Sequence, residues 1–316
     1  MSPLVETVLF VFGLVALGYL AGRTRYLKPF QGEALSEFAV SVALPLLLFR
    51  TMVGADFHGT APWSLWATYF SAVFVAWACG QWTTIKLFGR DARAGVVGGV
   101  STAFSNLVLL GSPLVLGVFG QAGFDVLSLI ISVHLPTMMI ASIVMFSIVS
   151  RQRGVRVDPA ALAQDFLRRL FTNPLIIGIV CGLAWRMTGL ELPHLAMRFI
   201  DALANIAGPL ALFSMGLSLV SYGISGNVRA GVVLALMKLF LMPAVALVMA
   251  QIIGLPPFAT TIAVVAAGLP AGVNSYLIAT QFGTGQALAS NAMTISTGFA
   301  VVSTAFWVTV LPYILG

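Results

Sequence analysis

Long apolar runs recur along the whole of this 316-residue chain, and they restrict its fold more than any other feature. Each run has about 20 residues, enough to cross ~30 Å of hydrocarbon as an α-helix. Strands of a membrane β-barrel would instead alternate apolar and polar residues over about 10 positions. Only 8% of the residues are charged, against about 25% in a soluble domain. The sequence therefore predicts an all-α integral membrane protein.

Ten transmembrane segments result when the chain is cut at charged residues and at clusters of glycine and proline. Their approximate bounds are 3–22, 34–54, 63–86, 94–119, 124–149, 173–188, 196–222, 229–253, 257–282 and 286–314. The polar stretch 151–172 contains five arginines and divides the segments into two sets of five. We therefore predict a first five-helix half over 1–150, a cytoplasmic basic loop over 151–172 and a second half over 173–316.

The basic residues predict an orientation in the membrane. Loops after odd-numbered segments hold 12 of the 16 lysines and arginines, and loops after even-numbered segments hold 2. Because such residues are retained in the cytoplasm, both termini are expected on the outer side of the cell (inner) membrane. The net charge of +6 then reflects topology and contact with lipid headgroups, and does not indicate nucleic-acid binding. An odd number of spans per half makes the second half an inverted copy of the first.

Matching motifs in the two halves support an inverted repeat. Pro45-Leu46-Leu47-Leu48-Phe49 in segment two and Pro209-Leu210-Ala211-Leu212-Phe213 in segment seven share the pattern P-L-x-L-F, displaced by 164 positions. At the same displacement Glu37 corresponds to Asp201. Segments four and nine both end in Phe-Gly.

Segments four and nine are expected to be broken helices, because glycine and proline interrupt both. The predicted breaks are Gly111 and Pro113 in the first and Gly268 and Gly272 in the second. A broken helix exposes backbone N–H and C=O groups, which are tolerated at that depth only inside protein or a cavity, where half-helix N-termini attract anions. The candidate substrate-binding residues are therefore Ser105, Asn106, Pro270, Asn274, Ser275 and Tyr276. The alternative is that these glycines and prolines only kink the helices for packing.

Lys238 and His134 are ionisable residues inside apolar segments. An intramembrane lysine costs at least ~2.5–3.5 kcal/mol on insertion scales. Lys238 therefore binds a substrate carboxylate, takes the place of a coupling ion, or pairs structurally with a carbonyl or carboxylate. His134 could relay a coupling proton, since imidazole titrates near neutral pH, or it could be a packing residue. Glu37 and Asp201 are further candidates for ion coupling, although their positions near helix starts also suit interfacial residues.

The sequence contains no Walker loop, no HExxH and no nucleophile elbow. An enzyme, an ATP-driven pump and a membrane protease are therefore disfavoured, and neither a cofactor nor a metal site is predicted. A channel fits less well than a carrier, because paired broken helices in an inverted repeat suit alternating access.

With these motifs in hand, the chain resembles the auxin efflux carrier family, which includes plant auxin exporters and bacterial transporters of malonate and other organic acids. The resemblance rests on five stretches considered together: Ala43 through Phe49, Ser105 through Pro113, Asn173 through Leu175, Lys238-Leu239 with Pro243, and Gly268 through Pro270.

This resemblance implies a ten-helix fold similar to that of bile-acid sodium symporters. Helices one, two, six and seven would form a scaffold, and the other six a transport domain in which broken helices four and nine cross. It also implies elevator-like movement, often in a homodimer. Plant exporters have proline at both breaks, whereas here Ser105 occupies the first and Pro270 the second, which argues against assuming auxin as the substrate.

The expected function is secondary transport of small organic anions, either mono- or dicarboxylates. Two alternatives stay open: sodium- or proton-coupled uptake as in bile-acid carriers, and a membrane ligand sensor without flux.

Overall fold

The structure is a computed structural model that describes residues 3–54, 62–151 and 171–315, together with Gln164 and Arg168. Within these ranges the regular structure is helical, and the one extended pairing is an isolated antiparallel bridge between Ser105 and Ala271. The predicted all-α class is therefore confirmed. Most of the predicted basic loop at 151–172 lies outside the described residues.

Fourteen α-helices run along the described chain. They are α1 Pro3–Arg23, α2 Pro29–Phe38, α3 Leu44–Gly54, α4 Pro62–Lys86, α5 Ala92–Ala103, α6 Ser112–Arg151, α7 Pro174–Thr188, α8 His194–Asn205, α9 Ala207–Tyr222, α10 Val228–Leu236, α11 Met242–Ile253, α12 Pro257–Ala267, α13 Val273–Gln281 and α14 Gln286–Leu315. Three π-helical segments, Ala39–Ala43, Leu107–Gly111 and Met237–Leu241, connect successive α-helices.

Six helical stretches are long and apolar enough to cross a membrane: Glu6–Arg23, Phe30–Gly54, Leu107–Val149, His194–Tyr222, Val228–Ile253 and Gln286–Leu315. They support a multi-pass membrane protein. The longest of these stretches is not one straight helix, because Gly120 in α6 has φ 65° and ψ −163°. A kink therefore separates the predicted segments four and five within α6.

Each π-helical segment ends two residues before a proline, at Pro45, Pro113 and Pro243. Proline lacks an amide hydrogen, and its ring clashes with the preceding helical turn. A π-turn places the hydrogen-bond partner five residues back instead of four. The chain therefore accommodates these prolines with a widened turn and continues as a helix.

Contacts divide the chain into two compact units, each described separately here. The first comprises Met1–Gly59, Val108–Ser132 and Leu167–Ser221, and the second comprises Thr60–Leu107, Val133–Phe166 and Tyr222–Gly316. In the first unit, α1 and α9 pack backbone to backbone. A Cβ atom at Gly18 would lie 2.0 Å from the Phe213 carbonyl oxygen, and one at Gly216 would lie 1.9 Å from the Val15 carbonyl oxygen.

The second unit is built on an equally close pair, α4 and α5. A Cβ atom at Gly80 would lie 2.1 Å from the Thr102 hydroxyl oxygen, and one at Gly98 would lie 1.9 Å from the Thr84 hydroxyl oxygen. Small residues at such contacts are typical of membrane helices, where close packing replaces the hydrophobic effect. This pairing fixes the end of α5, where the first helix interruption lies.

Candidate functional site

Two interrupted helices meet backbone to backbone in the second unit. The chain between α5 and the following π-segment is extended at Phe104 (φ −83°, ψ 100°). The Asn106 amide donates to the Pro270 carbonyl at 2.9 Å, and the Gly272 amide donates to the Phe104 carbonyl at 2.8 Å. These reciprocal bonds satisfy backbone groups that the interruptions remove from the helices. We call this pairing of 104–106 with 270–272 the crossover.

A side chain of the last helix supports the crossover. The Ala271 amide donates to the Ser296 hydroxyl at 3.0 Å, and the Ser296 hydroxyl itself donates to the Met293 carbonyl at 3.1 Å. Ala271 and Ser296 are fully buried. Ser296 is one of many small polar residues in this helix, and no sequence pattern marks it as a candidate. Only the structure distinguishes it from its neighbours.

The first interruption lies at 104–106, earlier than the predicted breaks at Gly111 and Pro113. Gly111 ends the π-segment Leu107–Gly111, and Pro113 is the second residue of α6. The widened turn before Pro113 accommodates the proline, so it does not break the helix. In the second interruption, Gly268 has helical angles (φ −80°, ψ −2°) and is the C-cap that follows α12, whereas Gly272 is extended (φ −75°, ψ 154°) and precedes α13.

Lys238 is fully buried in the π-segment Met237–Leu241. Its Nζ donates to the carbonyl oxygen of Ala267, the last residue of α12. Carbonyl groups at a helix C-terminus carry partial negative charge, which stabilises a cation. Of the two roles considered for Lys238, pairing with a carbonyl is therefore present. Ala267 is its one hydrogen-bond partner among the described residues, so two of the three ammonium hydrogens remain available to a ligand.

His134 lies in the same unit with only 3% of its surface exposed. Its ring contacts Phe104 edge-on at a centroid distance of 4.8 Å and Tyr69 at 5.6 Å. Lys238 is close enough to interact with it electrostatically. Neither ring nitrogen has a hydrogen-bond partner among the described residues. Tyr69 was not a sequence-based candidate, because an aromatic residue in an apolar segment is ordinary.

The predicted binding residues of the second interruption lie in the first turn of α13. Ser275 is buried and its hydroxyl donates to the Gly272 carbonyl at 2.8 Å. Asn274 and Tyr276 are half-buried, and the Tyr276 ring packs on Tyr222 at 4.9 Å. Ser105, Asn106 and Pro270 are buried. The crossover therefore has a closed interior and a more accessible edge at Asn274 and Tyr276.

The two carboxylates considered for ion coupling belong to the first unit. Asp201 accepts a hydrogen bond from Arg50 at 2.9 Å, and Arg50 also donates to Asn205 at 2.9 Å. Glu37 is exposed. Among the described residues no group of three or more His, Cys, Asp or Glu side chains is arranged to hold a metal ion.

These features define a class of protein: a multi-pass helical membrane protein in which two broken helices cross beside a buried lysine. Residues 3–308 match the family described as "Membrane transport protein". The chain therefore belongs to this membrane transport family, which is the auxin efflux carrier family that its motifs resemble.

Relatives of the chain include transporters of similar length. It is 28% identical to the "Putative malonate transporter" of Rhizobium meliloti, over 96% of this chain and 94% of that protein. It is 24% identical to an uncharacterized transporter of Methanothermobacter thermautotrophicus, over 97% and 98% of the two chains. It is also 28% identical to the lysosomal cholesterol signaling protein of Mus musculus, over 69% of this chain but 26% of that longer protein. The protein is thus a membrane transporter and not an enzyme.

Proposed function

We propose that the protein is a secondary transporter of small organic anions that binds its substrate at the crossover and moves it by elevator-like alternating access. The observation that carries this proposal is the buried ammonium of Lys238 at the end of α12. A buried lysine with unused hydrogen-bond donors suits a carboxylate. The name of the Rhizobium meliloti relative, a malonate transporter, agrees with a carboxylate substrate.

The start of α13 supplies the remaining groups in this proposal. The first amides of a helix have no acceptors within that helix, and they carry partial positive charge. Asn274 and Tyr276 lie at the accessible edge of this turn. A carboxylate would approach there, accept hydrogen bonds from the first amides of α13, and receive further hydrogen bonds from Ser105, Asn106 and Ser275 as the site rearranges around it. Pro270 would hold the extended backbone in place.

The two halves share backbone irregularities that support an inverted repeat. The displacement of 164 positions that relates the P-L-x-L-F motifs also relates Asn106 at the first interruption to Pro270 at the second. At the same displacement, the π-segment Ala39–Ala43 corresponds in sequence to residues 203–207. A turn at Ile206 within that range separates α8 from α9.

The glycines of the two Phe-Gly motifs are displaced by 163 positions, one fewer, and both have positive φ angles, 65° at Gly120 and 64° at Gly283. We therefore propose that each half contributes five helices of opposite orientation, with both termini on the outer side of the cell membrane.

The two compact units suggest which part would move. The first unit contains the predicted segments one, two, six and seven, and the second unit contains both interruptions. We assign the scaffold role, and the contacts of a homodimer, to the first unit and the moving role to the second. The first unit also includes Val108–Ser132, so the part that moves would be smaller than the six helices implied by the family resemblance.

The membrane potential limits the direction of uncoupled transport. A monoanion that moves outward down an inside-negative potential gains ~2.3 kcal/mol per 100 mV. Export would therefore need no coupling ion, whereas uptake would need a proton, a sodium ion or an exchanged anion.

Purified protein in liposomes tests this function with labelled malonate, malate and an indole acid under separate proton, sodium and electrical gradients. We expect saturable flux of at least one anion and its loss in Lys238→Ala and Asn106→Ala. Unchanged flux in both variants would refute the site. Binding without flux in correctly inserted protein would favour the alternative of a ligand sensor, which the similarity to a signaling protein brings into consideration.

A further inference from the structure

We infer that His134 binds a proton that accompanies the anion through the crossover, which would make the protein a proton–anion symporter. This inference rests on the proposed function, because it assigns the coupling ion of the same site.

Four polar atoms with no hydrogen-bond partner lie together beside the crossover. They are the Tyr69 hydroxyl oxygen, the Ser105 hydroxyl oxygen and the two ring nitrogens of His134. The Tyr69 hydroxyl is within hydrogen-bonding reach of the Ser105 side chain, and the imidazole is within reach of the Ser105 main chain, but neither contact has the geometry of a full hydrogen bond. All three residues are at most 3% exposed. Because buried polar groups are normally satisfied, a cluster of this kind indicates groups that bind a water molecule, a ligand or a proton.

The groups in contact with His134 come from three other elements. Tyr69 comes from α4, Phe104 and Ser105 come from the first interruption, and Lys238 comes from the π-segment that precedes α11. Lys238 is the one formally charged group among them. An anion bound at Lys238 would add the negative charge that a protonated imidazole requires. By linkage, the anion would then strengthen proton binding and the proton would strengthen anion binding by the same factor.

Sodium fits this cluster poorly. Hard cations are bound by several oxygen ligands, whereas two of the four atoms are ring nitrogens. Lys238 would repel a metal cation and a protonated imidazole alike, so the proton binds His134 together with the anion that neutralises Lys238. Imidazole, by contrast, is the side chain whose charge changes between about pH 5 and 8. The atoms of the cluster therefore suit a proton better than a sodium ion as the coupling ion.

Each transport cycle carries a proton together with the anion. On the uptake side, a proton from water forms an N–H bond with the neutral imidazole while the anion binds at Lys238. The imidazolium can donate to the Tyr69 hydroxyl, the Ser105 hydroxyl or the bound carboxylate. On the opposite side the anion leaves, the N–H bond breaks and the proton returns to water. One proton and one monoanion cross together, so the cycle moves no net charge.

The test compares wild-type protein with His134→Gln, which keeps a polar side chain but cannot take a proton near neutral pH. His194→Gln is the matched control, since His194 is exposed at the start of α8. Two quantities are measured with malonate as the probe. The first is proton uptake on anion binding in weakly buffered detergent, followed with a pH-sensitive dye. The second is accumulation in liposomes driven by a gradient of one pH unit.

With the membrane potential clamped at zero, we expect wild type and His194→Gln to take up about one proton more per bound malonate than His134→Gln does, and to accumulate malonate up to about tenfold, since one pH unit corresponds to a factor of ten. His134→Gln should bind malonate without this additional proton and lose accumulation. If wild type exchanges malonate but shows neither proton uptake nor accumulation, the inference is wrong while transport stands. Proton uptake without any exchange would support the protonation site and refute transport. Proton uptake retained in His134→Gln would assign the proton elsewhere and overturn the inference.

Discussion

The ammonium of Lys238 donates a hydrogen bond to the carbonyl oxygen of Ala267, and both residues are fully buried. The carbonyl belongs to the last residue of α12, directly before the second helix interruption. The structural and functional interpretations of this lysine are therefore compatible. The bond to Ala267 fixes the position of the charge, and the remaining donors can serve a substrate.

Replacing Lys238 with methionine separates these two roles. Methionine has a similar length and removes a buried charge, which is often neutral or stabilising in proteins. We expect Lys238→Met to leave the melting temperature in detergent within a few degrees of wild type while anion affinity falls at least about tenfold, because a charge-assisted hydrogen bond is worth about 1.5–3 kcal/mol. Lys86→Met, at an exposed position at the end of α4, is the control. Unfolding of Lys238→Met with no separate loss of affinity would make the lysine purely structural.

Ser296 is expected to stabilise the crossover through the Ala271 amide. Ser296→Ala leaves that buried donor without its acceptor, which costs about 1–3 kcal/mol. Ser303→Ala is the matched control, because the Ser303 hydroxyl donates at 3.2 Å to Ala300 in its own helix and is equally buried. Thermal unfolding should show a clearly larger loss for Ser296→Ala. Equal losses in the two variants would contradict a specific role at the crossover.

The contact of α1 with α9 predicts opposite effects for two glycines. Gly216→Ala would place a Cβ atom 1.9 Å from the Val15 carbonyl oxygen, which forces the helices apart at a cost of about 1–3 kcal/mol. Gly13→Ala meets no atom within 4 Å, and replacing a mid-helix glycine by alanine gains roughly 0.5–1 kcal/mol. Denaturation in detergent should order the proteins as Gly13→Ala, wild type, Gly216→Ala. If Gly216→Ala left the stability unchanged, the result would contradict a close contact between α1 and α9.

Asp201 and Glu37 are expected to have little influence on ion coupling. Asp201 is 42% exposed at its side chain and is paired with Arg50, and an ion pair of this exposure contributes about 0–1 kcal/mol. Asp201→Asn and Glu37→Gln should therefore keep the proton dependence of transport, measured as the ratio of initial uptake with and without a pH gradient. If this ratio fell to one in either variant, the coupling site would be assigned to the first unit instead of to His134.

The sequence was sufficient to predict most helices and both interrupted segments. Segment eight, predicted over 229–253, is found as a stretch from Val228 to Ile253, because long apolar runs bounded by polar residues leave few alternatives. The positions of the prolines did not predict where the helices are interrupted. Pro113 follows a π-turn and Pro270 lies in an extended break, and a single sequence does not distinguish these outcomes.

The polar cluster was the least predictable part of the site. Tyr69, Ser105 and Lys238 are far apart in the sequence, and no local pattern links them to His134. Their proximity depends on how α4, the first interruption and the π-segment before α11 pack within one unit. Such long-range packing leaves no periodic signal in the chain.

Exchange of labelled malonate in liposomes, with unlabelled malonate inside and no ion gradient, tests the central claim most directly because it requires a substrate site that opens to both sides and needs no coupling energy. The account predicts rapid counterflow in wild type that is retained in Lys86→Met and reduced at least tenfold in Lys238→Met, in proportion to lost affinity. Equal counterflow in Lys238→Met and wild type would contradict an anion site at the crossover.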